Sequence, residues 1–254
     1  MPLSDAALLF AAALLGGMLN AVAGGGSFFS FPALLLVGVP PIAANATNTV
    51  ALWPGSLASA IAYRRELLRQ RPRLVLLSAI SAAGGMLGAL LLLRTPDATF
   101  AGLIPWLLLG ATLLFAFSQR LVRWIRQRPR RAPARLPRGM LLAVGQFAIA
   151  VYGGFFGGGI GILMLAALAL GGMDDIHETN AVKTWLATLI NGVSVAAFAI
   201  AGVVRWPAAL IMIAGAVLGG YVAVLGARRL PAAWVRALVT VVGIGLSVYF
   251  FAKG

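Results

Sequence analysis

A chain of 254 residues that is 61% hydrophobic and only 10% charged, with a mean hydropathy of +0.97, has too little polar surface to coat a water-soluble globule; soluble domains average about 45–50% apolar and about 25% charged residues. It contains no cysteine, which excludes disulfides, thiol catalysis and cysteine-ligated metals. The net charge of +14 does not point to nucleic acid, because 13 of the 20 Lys and Arg residues lie in two short stretches between apolar runs, as in cytoplasmic loops under the positive-inside rule.

The first apolar run, Ala6–Ala23, has no Lys or Arg among residues 1–15. It therefore reads as a retained helix and not as a signal peptide, which needs a basic leader. Charge-free runs follow at Ile42–Tyr63, Leu74–Leu93, Ala98–Ser118, Gly139–Phe156, Thr184–Val204 and Trp206–Ala227, and an eighth, Ala232–Ala252, carries only Arg236. Each is close to the roughly 20 residues that cross a bilayer as a helix. Two further apolar stretches, Ser27–Gly38 and Ile160–Gly171, have 12 residues each, too few to cross and therefore expected to be re-entrant or half-spanning. The cationic stretches are Arg64, Arg65, Arg69, Arg71 and Arg73, and the eight arginines from Arg120 to Arg138. The second of these, with Pro129, Pro133 and Pro137, reads as a solvated cytoplasmic linker that also meets anionic lipid.

An internal repeat is written into this order. Gly24–Gly26 matches Gly157–Gly159, and Gly38 matches Gly171, at an offset of 133. Ala44–Thr49 matches Thr179–Thr184 at an offset of 135, and Gly84-x-x-x-Gly88 matches Gly215-x-x-x-Gly219 at 131. The expected architecture is all-α and polytopic: about eight transmembrane helices plus the two short segments, built as a two-fold repeat. The first repeat covers 1–118, the Arg/Pro-rich linker 119–138 and the second repeat 139–254. With eight crossings, the Arg-loop face also carries Arg205 and Lys253, while Arg94, Arg228, Arg229 and Arg236 lie opposite. If the short segments cross as well, the second half inverts and leaves Arg94, Arg205 and Lys253 opposite. Charge counts do not separate the two, and the shortness of the 12-residue segments favours eight crossings.

The six acidic residues, Asp5, Glu66, Asp97, Asp174, Asp175 and Glu178, all fall outside the long runs, and His177 is the single histidine. Hydrolytic, redox and metal chemistry thus have little to work with, and neither an enzyme nor a cofactor is expected. Three consecutive glycines interrupt a helix, and the helix that starts after them offers unpaired N–H groups at a positive dipole end, which favours an anion. Repeated Gly-broken segments in two halves point to a transporter binding site. The candidate substrate-binding residues are Gly25, Gly26, Ser27, Asn45, Thr47, Asn48, Gly158, Gly159, Asn180, Lys183 and Thr184. The GxxxG pairs read as close helix packing, and Trp53, Trp185 and Trp206 as packing or interfacial residues.

Gly24-Gly25-Gly26-Ser27-Phe28-Phe29-Ser30-Phe31-Pro32, then Gly38 and Ala46-Thr47-Asn48, resembles the TauE/SafE family of sulfite-exporter-like permeases, and Gly157–Gly159 with Asn180–Thr184 resembles its second copy. The resemblance implies a secondary transporter of a small anion, such as sulfite, a sulfonate or sulfoacetate, working by alternating access in a bacterial inner membrane. An anion channel and a non-transporting assembly factor are the alternatives. The expected partners are the small anion, the membrane lipids and a second copy in a homodimer; the coupling ion stays open.

Overall fold

The computed structural model describes residues 1–22, 25–68, 71–127, 138–173, 175–225 and 232–253, and every regular element among them is an α-helix. In chain order these are α1 (Leu3–Val22), α2 (Ser27–Leu36), α3 (Pro41–Ala62), α4 (Arg64–Leu68), α5 (Arg71–Arg94), α6 (Asp97–Gln127), α7 (Arg138–Phe155), α8 (Ile160–Leu170), α9 (Ile176–Ile200), α10 (Trp206–Leu225) and α11 (Ala232–Lys253). Five segments are long and apolar enough to cross a membrane: Leu3–Asn20, Leu74–Arg94, Asp97–Trp124, His177–Ile200 and Trp206–Ala223. Burial runs opposite to that of a soluble protein. Val144, Leu210 and Val241 are more than 60% exposed, whereas Ser30, Asn45, Thr47, Asn48, Ser81 and Gln146 are buried. An apolar exterior around a polar interior is what hydrocarbon solvent requires, and the chain is a multi-pass membrane protein.

Two tight helix pairs organise the packing. In the first, α1 lies along α10: a Cβ at Gly215 would collide with the Phe10 carbonyl, one at Gly219 with the Leu14 carbonyl, and one at Gly17 with the backbone of Ala216. In the second, α5 lies along α7, with Gly84 against the Phe147 carbonyl, Gly88 against that of Val151 and Gly154 against that of Gly85. Contact of backbone with backbone maximises dispersion in a medium where apolar side chains gain nothing by association, so the GxxxG pairs are packing devices, as their spacing suggests.

Residue numbers rise together across both pairs, so each pair is parallel. By contrast α3 and α9 are antiparallel: Arg205, just beyond α9, bonds Thr47, while Trp53 and Ser56 bond Thr188. Helices α3 and α10 pack together and begin beside one pocket, where Ile42 and Ala43 face Val204 and Arg205. Helices α1, α10 and α3 therefore share one direction. The chain must return between α1 and α3, and α2, about 15 Å long at 1.5 Å per residue, supplies the return.

This corrects the expected charge partition. Arg205 lines the same pocket as Leu93 and Thr95, the residues on either side of Arg94, so Arg205 and Arg94 lie at one end and not at opposite ends. The short segments, α2 with 10 residues and α8 with 11, are too short for a full crossing. Three boundaries also move. Helix α9 starts at Ile176, eight residues before the expected span, because the Asp175 carboxylate accepts the N–H groups of His177 (2.7 Å) and Glu178 (3.0 Å) and caps the helix. Helix α6 continues to Gln127, into the expected linker, of which 128–137 lie outside the described residues. In the repeat alignment the match to Gly38 (φ +79°) is Gly172 (φ +91°), not Gly171. Both close the same helix-ending motif, Val39 N–H to Leu34 and Gly38 N–H to Leu35 in one half, Met173 to Leu168 and Gly172 to Ala169 in the other.

Single cysteines placed in this cysteine-free chain test the directions. Arg94→Cys and Arg205→Cys are expected to react with an impermeant thiol reagent from one side of the membrane, and Arg65→Cys from the other. Glycine contacts give a second prediction. Gly88→Val or Gly219→Val should separate a helix pair and lower the melting temperature. Gly102→Ala and Gly110→Ala, where nothing lies within 4 Å of the added carbon, should leave it unchanged or raise it, since Ala favours helix over Gly by about 1 kcal/mol.

Candidate functional site

The first break separates α1 from α2. Gly25 has φ +92°, a left-handed conformation that side chains resist, and it lets the chain double back until Gly26 rests on Gly16. The Gly26 N–H donates to Asn20 Oδ1 at 2.9 Å, and the Ser30 hydroxyl lies 3.1 Å from the Gly26 carbonyl and 2.5 Å from Asn48 Oδ1. Asn48 and Ser30 are buried. The polar groups of this break are largely satisfied from within the protein, while Ser27 stays half-buried and unbonded among the described residues.

The second break separates α7 from α8 and is built differently. Here Gly157 and Gly159 both have positive φ, +84° and +77°. The Tyr152 hydroxyl donates to the Gly158 carbonyl at 2.7 Å, and Asn45 Nδ2 donates to the Phe155 carbonyl at 3.1 Å. Among the described residues, the N–H groups of Gly158 and Gly159 have no acceptor. Lys183, two turns into α9, lays its stem across the first turn of α8: its Cδ lies 3.6 Å from where a Cβ on Gly161 would stand. The motif expected to precede a span is thus carried inside a helix, and its cation is held beside the second break.

Several contacts bring the breaks together. Ala111 and Phe115, one turn apart on α6, touch Gly158–Gly159 and Gly25 respectively, and the rings of Phe31 and Phe156 meet at 5.7 Å. Helix α3 serves both breaks, through Asn48 at the first and Asn45 at the second. Thr47 instead turns to the α9–α10 corner, where its Oγ1 accepts the Arg205 N–H at 3.0 Å. Thr184 contributes its carbonyl to Thr188, and Asn180 is half-buried without a hydrogen bond among the described residues. No contact joins Lys183 to Gly25 or Gly26. Sequence reasoning missed Asn20, Ser30 and Tyr152. The signal for Asn20 was a carboxamide alone in an apolar run, six residues before the glycine it bonds. Among the described residues no group of three His, Asp or Glu side chains stands ready to hold a metal ion.

At Gly158 a Cβ would lie 2.6 Å from Phe156 Cε1 and 3.3 Å from Ala111 Cβ. Gly158→Leu is therefore expected to insert in the membrane but to lose solute flux in proteoliposomes. Gly25→Leu should behave alike for a different reason, the positive φ. Normal flux in a well-expressed Gly158→Leu protein would show that the shape of this break is not needed.

Comparison with known proteins identifies relatives along most of the chain. The chain is 30% identical to a probable membrane transporter protein, ORF9, of Sinorhizobium sp, over 97% of this chain and 92% of that one. It is 31% identical to a probable membrane transporter protein of Haemophilus influenzae, over 87% and 84% of the two chains. A third relative, the probable membrane transporter protein YfcA of Escherichia coli K12, is 31% identical over 84% and 77%. No solved structure matches the chain. Residues 9–250 match the family described as sulfite exporter TauE/SafE, and the chain belongs to that family of membrane transporters.

Proposed function

We propose that the protein is a secondary transporter of a small anion, a sulfur oxyanion or an organosulfonate, working by alternating access in a bacterial inner membrane. One observation carries this reading: the Gly158 and Gly159 N–H groups before α8 have no acceptor among the described residues, and the stem of the half-buried Lys183 lies against Gly161, two residues further on. A helix N-terminus and an ammonium group in low dielectric both select negative charge. A Lys inside a transmembrane helix costs about 2.5–3.5 kcal/mol on insertion scales, so a role in holding the anion accounts for its presence. The family name, with its sulfite exporter, supports the substrate class.

The proposed frame has α1, α3, α5, α6, α7, α9, α10 and α11 crossing the bilayer, with α2 and α8 as half-depth helices, in two repeats of inverted direction. The helix contacts support it. Phe10–Gly215 and Leu14–Gly219 correspond to Phe147–Gly84 and Val151–Gly88 through constant offsets of 137 and 131. Exchanging the halves turns the α1–α10 pair into α7–α5. In this frame the loops of Arg64–Arg73 and Arg120–Arg138 are cytoplasmic, by their charge. Alternating access follows if the two related halves exchange conformations.

Replacing Lys183 by Gln keeps a donor and removes the charge. Lys183→Gln is expected to weaken anion binding by about tenfold, or about 1.4 kcal/mol, with Lys183→Arg intermediate. Equilibrium binding of sulfite to purified protein at fixed pH is the measurement. Equal affinity in wild type and Lys183→Gln would leave the glycine amides to hold the anion without Lys183; no binding of sulfite, sulfate or sulfonates to wild type would remove the sulfur-anion reading.

A further inference from the structure

A pocket of about 480 Å³ opens at the end of the molecule away from Arg64 and Arg65. Its walls come from the start of α3, from the α5–α6 corner and from the α9–α10 corner. Two opposite charges line it, Asp97 and Arg205, and among the described residues no ion pair joins them. The Asp97 carboxylate is tethered on one side, since Oδ1 accepts the Ile42 N–H at 3.1 Å, and its second oxygen remains for another partner. The floor of the pocket, Ile42 and Ala43, lies one turn from Asn45, which bonds Phe155 at the edge of the second break. Thr47, deeper on α3, is bonded to Arg205 itself. The pocket lies at the start of α3, the helix whose Asn45 and Asn48 meet the two breaks.

The two charges sit on elements with different principal neighbours, although both are also hydrogen-bonded to α3. Asp97 opens α6, which packs chiefly on α11 and α8, whereas Arg205 joins α9 to α10, helices packed on α3, α5 and α1. A shift of α6 against that group changes the width of the pocket. We propose that the pocket is the outer mouth of the transport path and that Asp97 and Arg205 form its gate, apart in the open form seen here and ion-paired when the mouth closes. This rests on the transporter reading above. Closure would desolvate both charges, and a pair stripped of water is paid for only when its geometry is good, which suits a contact that must form and break in each cycle.

The test uses the full-length protein in proteoliposomes with sulfite as the probe. Asp97→Asn keeps an acceptor for the Ile42 N–H and removes the charge; it and Arg205→Gln are each expected to lower flux by about tenfold, within the range of coupled neighbouring charges. The exchange variant Asp97→Arg/Arg205→Asp should recover much of the loss seen in Asp97→Arg alone. A role limited to capping α3 predicts no recovery, because the cap is absent in both. Independently, Asp97→Cys/Arg205→Cys should form a disulfide on mild oxidation, which needs the two Cα atoms within about 7 Å, and the bond should stop flux until it is reduced. Mass spectrometry reads the disulfide whether or not sulfite is the substrate, so a wrong substrate and a wrong gate give different results. No disulfide, or a disulfide with full flux, overturns the gate, as does an exchange variant no better than Asp97→Arg.

Discussion

In hydrocarbon, a backbone N–H or C=O without a partner costs several kcal/mol. A membrane protein can interrupt a helix only where something else satisfies the exposed groups. Both glycine triplets interrupt helices deep in this fold, and the surrounding structure is arranged around the groups they expose. At the first break, Asn20, Ser30 and Asn48 supply partners from α1, α2 and α3. At the second, Tyr152 and Asn45 bind the carbonyls of Gly158 and Phe155, but the Gly158 and Gly159 N–H groups stay without an acceptor among the described residues. The two breaks carry similar glycine runs and differ in which of their groups find partners.

That difference is itself physical information. At the second break the carbonyls of Gly158 and Phe155 are tied down while the Gly158 and Gly159 N–H groups are not, and the Lys183 stem lies against Gly161 nearby. Donors without acceptors have no use for a cation. At the first break the Gly26 N–H is bonded to Asn20, whereas the Ser27 N–H has no acceptor among the described residues. In the proposed two-repeat frame, Lys183 stands opposite Asn48 and makes the two sides chemically unlike.

Much of this was legible in the sequence because glycine and charge are loud signals in an apolar chain. The triplets, both GxxxG pairs and the arginine loops could be placed by residue type alone, and the helical, membrane-embedded character follows from composition. Direction was not legible. Whether α2 returns to the face it came from or carries the chain onward depends on which helices pack in parallel, and that is decided by the contact of Gly215 with Phe10 and of Gly88 with Val151, residues more than 60 positions apart in each case. The start of α9 was missed because hydropathy alone marks only the apolar part of a helix, while Asp175 begins it among polar residues. The partners at the breaks were missed because a lone Asn20 or Tyr152 in an apolar run has no periodicity to announce it.

The pairing of α1 with α10 has a consequence for biosynthesis. Helix α1 finds its tightest partner only after about 200 further residues have been made, roughly 10 to 40 seconds at ordinary translation rates. Until then Gly17, which packs on the Ala216 backbone in the finished fold, lacks its partner. Helix α5 waits a much shorter time for α7. The half that is made first is thus the last to be completed, and a nascent chain stalled before α10 holds an assembled α5–α7 pair beside an unaccompanied α1, a form that membrane quality control can distinguish from the finished protein.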